Sequence, residues 1–140
     1  MNMIISDYTD FNLEEILSLY DSVGWTSYTG RPERLQRAFE HSLEVLAAYD
    51  QESGQLLGIL RALGDGETVL FIQDILVFPQ YQRQGVGTAL VREVLKRRGD
   101  VYQIELATDR EERTLSFYRS LGFTEFSEMG CAGFMKLNPL

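Results

Sequence analysis

The sequence predicts an α/β fold, a mixed β-sheet flanked by helices. Three observations lead there. Segments of strand and helix periodicity follow one another in the order β-α-α-β-β-β-α-β-α-β-β. Two apolar runs, EVLAAYD and QLLGILRAL, flank the polar turn QESG, the pattern of an antiparallel hairpin. Between residues 68 and 107 a strand, a helix and a second strand succeed each other, as in a parallel crossover. A sheet containing both a hairpin and a crossover is mixed, and its apolar faces require helices to cover them.

Each element has a local reason. IISDY is short and partly alternating, which fits an edge strand. Leu13, Ile16, Leu17 and Tyr20 form a helical stripe, with Asn12 and Glu15 as a capping box and Gly24 as a stop. RPERLQRAFEHSL reads as a second helix, with Pro32 in its first turn and Leu35 and Phe39 on one face. ETVLFIQDILVF is apolar almost throughout, which predicts a strand buried on both faces and ended by Pro79. From Gly85 to Arg98, Val86, Leu90 and Val94 recur on one helical face, Lys96, Arg97 and Arg98 suit a C-terminus, and Gly99 offers a cap. VYQIELAT is the next strand; Asp109 with Glu112 predicts a capping box for a helix ending at Leu121 and Gly122. FTEF and CAGFMKL are expected to close the sheet as strands.

The bulk numbers bound the function. A length of 140 residues with 44% hydrophobic composition fits one domain, residues 1–140. Thirteen basic against 21 acidic residues give a net charge of −8, which argues against nucleic acid as a partner. Cys131 is the single cysteine, so no internal disulfide forms; it is expected to be a small buried hydrophobe in a strand. No apolar run approaches the ~20 residues of a membrane helix. MNMIISDYTD lacks a basic and then apolar leader pattern, so no membrane association and a cytoplasmic location are expected. No His/Cys/Asp spacing suggests a metal, and His41 reads as a surface or boundary residue.

The stretch LVFPQYQRQGVGTAL concentrates the chemistry. Gly85 and Gly87 allow a tight turn, the helix that follows offers unpaired N–H groups, and Arg83 adds charge. Together these make a site for a pyrophosphate, although a plain strand-to-helix turn uses the same residues. A P-loop is excluded because Thr88 and Ala89, not lysine and a hydroxyl residue, follow Gly87. The dinucleotide fingerprint fails at Leu90.

VFPQYQRQGVGTAL resembles motif A of the GNAT acyltransferases, Gln/Arg-x-x-Gly-x-Gly/Ala, through Gln82, Gly85 and Gly87. TLSFYRSLGF resembles the family's motif B through Phe117, Tyr118, Leu121, Gly122 and Phe123, one helix and one strand further on. The stretch QDILVFPQYQRQGVG and the upstream VGW are closer to plant serotonin N-acetyltransferases and their bacterial relatives. The resemblance implies splayed central parallel strands that hold acetyl-CoA. Ile75, Leu76 and Val77 would offer backbone groups to the pantetheine arm. Gln82, Arg83, Gln84, Gly85, Val86, Gly87 and Thr88 would wrap the diphosphate, with Phe117 also at the cofactor.

It further implies Tyr118 as the acid that protonates the leaving thiolate, against the alternative of a packing residue. Glu111 stands where many members carry asparagine, and Phe71 where some carry a glutamate. Asp74, a charge inside LFIQDILV, is then a base or an anchor for the acceptor amine, or a structural carboxylate bound to loop amides. Trp25 and Tyr28 in VGWTSYTG would wall the acceptor pocket, or pack over the sheet end. The expected activity is transfer of acetyl to a small-molecule primary amine by direct attack in a ternary complex, with no metal. A protein or peptide N-acetyltransferase and a non-catalytic acyl-CoA-binding domain are the rivals. CAGFMKL leaves open a homodimer in which that strand pairs across subunits.

Overall fold

A computed structural model describes residues 1–140. They group into two compact units, Met1–Leu106 and Ala107–Leu140. The first contains β1 (Met3–Asp7), α1 (Leu13–Ser22), α2 (Thr26–Thr29), α3 (Pro32–Glu40), β2 (Glu44–Asp50), β3 (Leu56–Gly64), β4 (Val69–Val77), α4 (Val86–Arg97) and β5 (Gln103–Leu106). The second contains α5 (Glu112–Ser120) and a short 3-10 turn at Phe126–Met129.

One five-stranded sheet runs in the order β1-β2-β3-β4-β5. The first three pairings are antiparallel and β4–β5 is parallel, so the sheet is mixed and β1 lies at its edge, as the periodicity predicts. The parallel ladder is short. β5 pairs with β4 only from Val69↔Gln103 to Ile72↔Leu106, while β4 runs on to Val77 without a partner on that side. At the same point Arg61 stands opposite Asp74 and Ala62 opposite Ile72, so Gln73 is an inserted residue, a bulge that bends β4 where the parallel ladder stops.

Ile16, Leu19 and Tyr20 of α1 pack with Leu35 and Phe39 of α3 against Ala47, Ile59, Leu76 and Phe78. α4 buries Val86, Leu90, Val91 and Val94 and packs on β1 to β4. The strand buried on both faces is β3, from Leu56 to Ala62. β4 alternates instead: Leu70, Ile72, Asp74 and Leu76 are buried, and the residues between them are half-buried. Its apolar run therefore overstates its burial.

The α1 capping box closes through a third residue. Asn12 Oδ1 accepts the Glu15 N–H at 3.0 Å, but the reciprocal bond runs through Tyr8, whose Oη accepts from Asn12 N–H at 3.2 Å while its hydroxyl donates to Glu15 at 2.9 Å. Other local expectations need correction. Arg98 caps α4, and Gly99 does not take a left-handed conformation. Asp109 accepts the Glu111 N–H at 2.9 Å in a turn before α5, rather than forming a box with Glu112. The short helix α2 was not anticipated.

FTEF and CAGFMKL form no strands, and every residue from Phe126 to Leu140 is exposed. Phe134, Met135 and Leu137 are 97%, 77% and 85% exposed. Apolar alternation gives a segment a strand-like face, but a ladder also needs a partner edge, and this segment pairs with none. Cys131 is consequently exposed rather than buried. His41 lies exposed at the end of α3, its Nδ1 2.8 Å from the Arg37 carbonyl.

Candidate active site

The turn between β4 and α4 owes its shape to two left-handed residues, Arg83 at φ 62° and Gly85 at φ 85°. A side chain at Gly85 would meet nothing within 4 Å, so backbone conformation and not crowding demands glycine there. Gly85 is the N-cap of α4 and supplies no side-chain hydrogen bond. Its carbonyl accepts the Ala89 N–H at 3.0 Å, which leaves the N–H groups of Val86, Gly87 and Thr88 without an intrahelical partner. Gln82 Nε2 donates to the Val77 carbonyl at 3.1 Å and ties the turn to the end of β4; Gln84 Nε2 donates to the Gln80 carbonyl at 3.2 Å. Arg83 is exposed.

The open edge of β4 faces the strand's unpaired side. Phe78 N–H donates to Leu57 O at 3.0 Å, which fixes the alternation back along the strand. Leu76 and Asp74 therefore turn their backbone groups to Ile59 and Arg61 of β3, while Ile75 and Val77 turn theirs away. Of the three residues expected to offer backbone groups, Ile75 and Val77 are on the open edge and Leu76 is not.

Asp74 is 1% exposed and sits in a side-chain cluster. Tyr20 Oη donates to its Oδ2 at 2.7 Å, and Arg61 Nε donates to the same oxygen at 2.8 Å. Arg61 also reaches Ser42 Oγ at 3.4 Å and lies over the Phe39 ring, 5.8 Å from its centre. Asp74 Oδ1 is buried with no hydrogen-bond partner. Burial and then the neighbouring carboxylate push the Tyr20 phenol well above its ordinary pKa, so it is a donor. Burial works against the charge on Arg61, but Asp74 outweighs it and the guanidinium pKa rises. The partners of Asp74 are these side chains and not loop amides.

Tyr20 also connects Asp74 to the expected acceptor wall. Its ring stands edge-on to Tyr28 at 5.8 Å and to Trp25 at 6.3 Å, and Trp25 and Tyr28 lie 6.5 Å apart. Trp25 is 39% exposed and Tyr28 half-buried. Asp74, Trp25 and Tyr28 are thus brought together through Tyr20, which the periodicity shows only as a core position. Arg61 was missed as well. Its signal was present: a lone arginine in LLGILRALG and a lone aspartate in VLFIQDILV are two opposite charges stranded in adjacent apolar strands.

In the second unit, motif B explains itself as a helix stop. Gly122 at φ 94° follows α5; Phe123 N–H donates to Tyr118 O at 3.1 Å and Gly122 N–H to Arg119 O at 3.0 Å, the paired bonds of a Schellman motif. The Phe123 ring packs edge-on to Tyr118 at 5.9 Å, and the Phe117 ring stands edge-on to it at 4.9 Å. The Leu-Gly-Phe sequence therefore fixes the Tyr118 ring. Burial and then the charge of Asp109 push its phenol up to about 12, so it is protonated at neutral pH. Glu111 is the exposed N-cap of α5 and makes no side-chain cap.

Residues 41–125 match the family described as Acetyltransferase (GNAT) domain. An uncharacterized N-acetyltransferase of Porphyra purpurea is 30% identical over 127 residues, covering 87% of this chain and 70% of its own. Histone acetyltransferase TAP1 of Glycine max is 32% identical over 133 residues, covering 86% of this chain and 55% of its own. Among solved structures, a GNAT family acetyltransferase from Streptococcus pneumoniae superposes with a TM-score of 0.86 at 39% identity, over 98% of both chains. With a family match across more than half its length and this agreement in fold, the chain belongs to the GNAT acetyltransferase family.

Proposed function

We propose that residues 1–140 act as one acetyl-CoA-dependent N-acetyltransferase domain that moves an acetyl group to the primary amine of a small molecule by direct attack in a ternary complex. The observation that carries this reading is the presence of two backbone surfaces with free groups in the first unit: the amides of Val86, Gly87 and Thr88 at the uncapped start of α4, and the open edge of β4 at the Ile75 backbone groups and the Val77 N–H, the Val77 carbonyl being taken by Gln82. The first suits a diphosphate, aided by Arg83 and the helix dipole. The second suits an extended amide-bearing arm, which pairs as an added strand would. Acetyl-CoA supplies both features and brings the acetyl group as an activated thioester.

The remaining roles follow from the side chains. Tyr118, a protonated phenol held by the α5 stop, donates the proton to the departing thiolate, with Phe117 beside it. Trp25 and Tyr28 take the body of the acceptor. The amine, with an ordinary pKa of ~10, must be neutral to attack. The burial and double pairing of Asp74 favour an anchoring role on the acceptor side over that of a base.

We place the protein in the cytoplasm, and its net charge of −8 supports a reading without a nucleic-acid partner. The exposed apolar tail around Phe134 and Leu137 supports a homodimer. A second reading, acetylation of a protein lysine or N-terminus, draws on the soybean relative named as a histone acetyltransferase.

A panel of polyamines, arylalkylamines and peptides incubated with acetyl-CoA, read by acceptor mass shift and thiol release, tests this. A +acetyl product among the small amines supports the first reading and one among the peptides the second. Tight acetyl-CoA binding without turnover on any amine points to a non-catalytic domain. Tyr118→Phe should lower turnover by about 10²-fold with acetyl-CoA affinity retained. Wild-type turnover from the folded variant would leave Tyr118 as packing.

A further inference from the structure

We propose that Tyr20 is the positioning residue of the acceptor side, the link through which Asp74 and Arg61 hold the Trp25–Tyr28 wall in register with β4. The inference rests on the acceptor reading given above and deepens it by naming the side chain that sets the geometry of the acceptor wall.

Three observations converge on this tyrosine. Its ring is fully buried and contacts both wall residues edge-on, so a tilt of the Tyr20 ring moves Trp25 and Tyr28 together. Its hydroxyl does not reach solvent or a backbone carbonyl but donates at 2.7 Å to a carboxylate 54 residues away. That carboxylate is itself oriented. Arg61 approaches through Nε alone and sends its other arm towards Ser42, so both donors land on Oδ2 and Oδ1 is left without a partner. An arginine–aspartate pair arranged for stability alone prefers a two-pronged contact that serves both oxygens. Here the second donor to Oδ2 is the phenol, and the pair acts as a clamp on it.

Position adds the functional link. Asp74 directly follows the bulge at Gln73, on the stretch of β4 beyond Ile72 that β5 does not pair, and directly precedes Ile75, which turns its backbone groups to that open edge. The clamp therefore ties the aromatic wall, through α1, to the point of the sheet where the proposed cofactor surface begins. An arylalkylamine fits this wall, because Trp25 remains 39% exposed and offers a flat surface against which an aromatic body can lie.

Trp25 is the only tryptophan, so its emission reports the wall directly. Phenethylamine is titrated against the emission of Trp25 in the wild-type chain, in Tyr20→Phe and in Tyr8→Phe. The last variant removes the hydroxyl that closes the α1 cap, at the far end of the same helix, and serves as the control for a general loss of stability. Saturable change in the wild type is expected, with affinity about tenfold weaker in Tyr20→Phe, the effect of losing one charge-assisted hydrogen bond. In Tyr8→Phe the melting temperature should fall while amine affinity stays within about twofold. No saturable change in the wild type, unchanged affinity in folded Tyr20→Phe, or an equal loss in Tyr8→Phe would each overturn the assignment. Acetyl-CoA affinity, measured separately by calorimetry, should be the same in all three. Absence of acetyl-CoA binding in the wild type would sink the enzymatic reading while leaving the Trp25 titration to decide the role of Tyr20.

Discussion

At the start of α1 the Asn12 side chain takes the Glu15 N–H, and Tyr8 completes the circuit between the Asn12 backbone and the Glu15 carboxylate. At the start of α4 a left-handed glycine stands in the same place, with no side chain to give and three amides left without an intrahelical partner. The two helices are alike in length and in burying one face, so the contrast is not about helix stability in general. A cap satisfies orphan donors within the chain. An uncapped start with a glycine hinge leaves them for an anion, at the cost of the stabilisation a cap would give. The difference separates a helix end built to hold the fold from one built to hold a ligand.

Substitution can break that contrast. Gly85→Val should have the largest effect, since a β-branched residue resists φ 85°. Acetyl-CoA affinity by calorimetry should fall roughly a hundredfold. Unchanged affinity in a folded variant would remove the cofactor from this turn. Gly85→Asn sharpens the cause, because asparagine adopts the left-handed conformation at small cost. It should lose only about tenfold. Equal losses for both variants would shift the explanation from backbone conformation to bulk against the ligand.

Asn12→Ala tests the other half of the comparison. Chemical denaturation should show a loss of about 1 kcal/mol with acetyl-CoA affinity untouched. A drop in affinity would mean that the two helix ends are not separable. The smallest effect is expected from Gln82→Ala, which frees the Val77 carbonyl and loosens the turn from β4. Affinity should weaken by about fivefold, the value of one neutral hydrogen bond. No change would make the motif's glutamine a direct ligand contact of little weight or a bystander.

How much of this was legible depends on sequence distance. The stop of α5 could be read from Leu121, Gly122 and Phe123, and the turn before α4 from Gln82, Gly85 and Gly87. Each is a device whose partners lie within a few residues. The strand fates were less legible. VLFIQDILV looked buried on both faces and is not, and CAGFMKL looked like a strand and pairs with nothing. In both, hydrophobic pattern reports what a segment could bury, whereas burial depends on which neighbours arrive.

By itself the sequence determined the order of elements through Leu121 except for the short α2, the hairpin and the crossover, the Asn12 cap and the tight glycine turn at Gly85. These follow from periodicity and from backbone conformations that residues impose on their immediate neighbours. Only the tertiary structure decided that Asp74 is held by Arg61, 13 residues back, and by Tyr20, 54 residues back, that Gln73 is the residue left over in the β3–β4 ladder, and that Ile75 and Val77 rather than Leu76 face the open edge. Those facts depend on strand register and on which helix crosses which strand. A one-residue shift in register reverses every side chain and every backbone group along a strand, and nothing local in the chain fixes it.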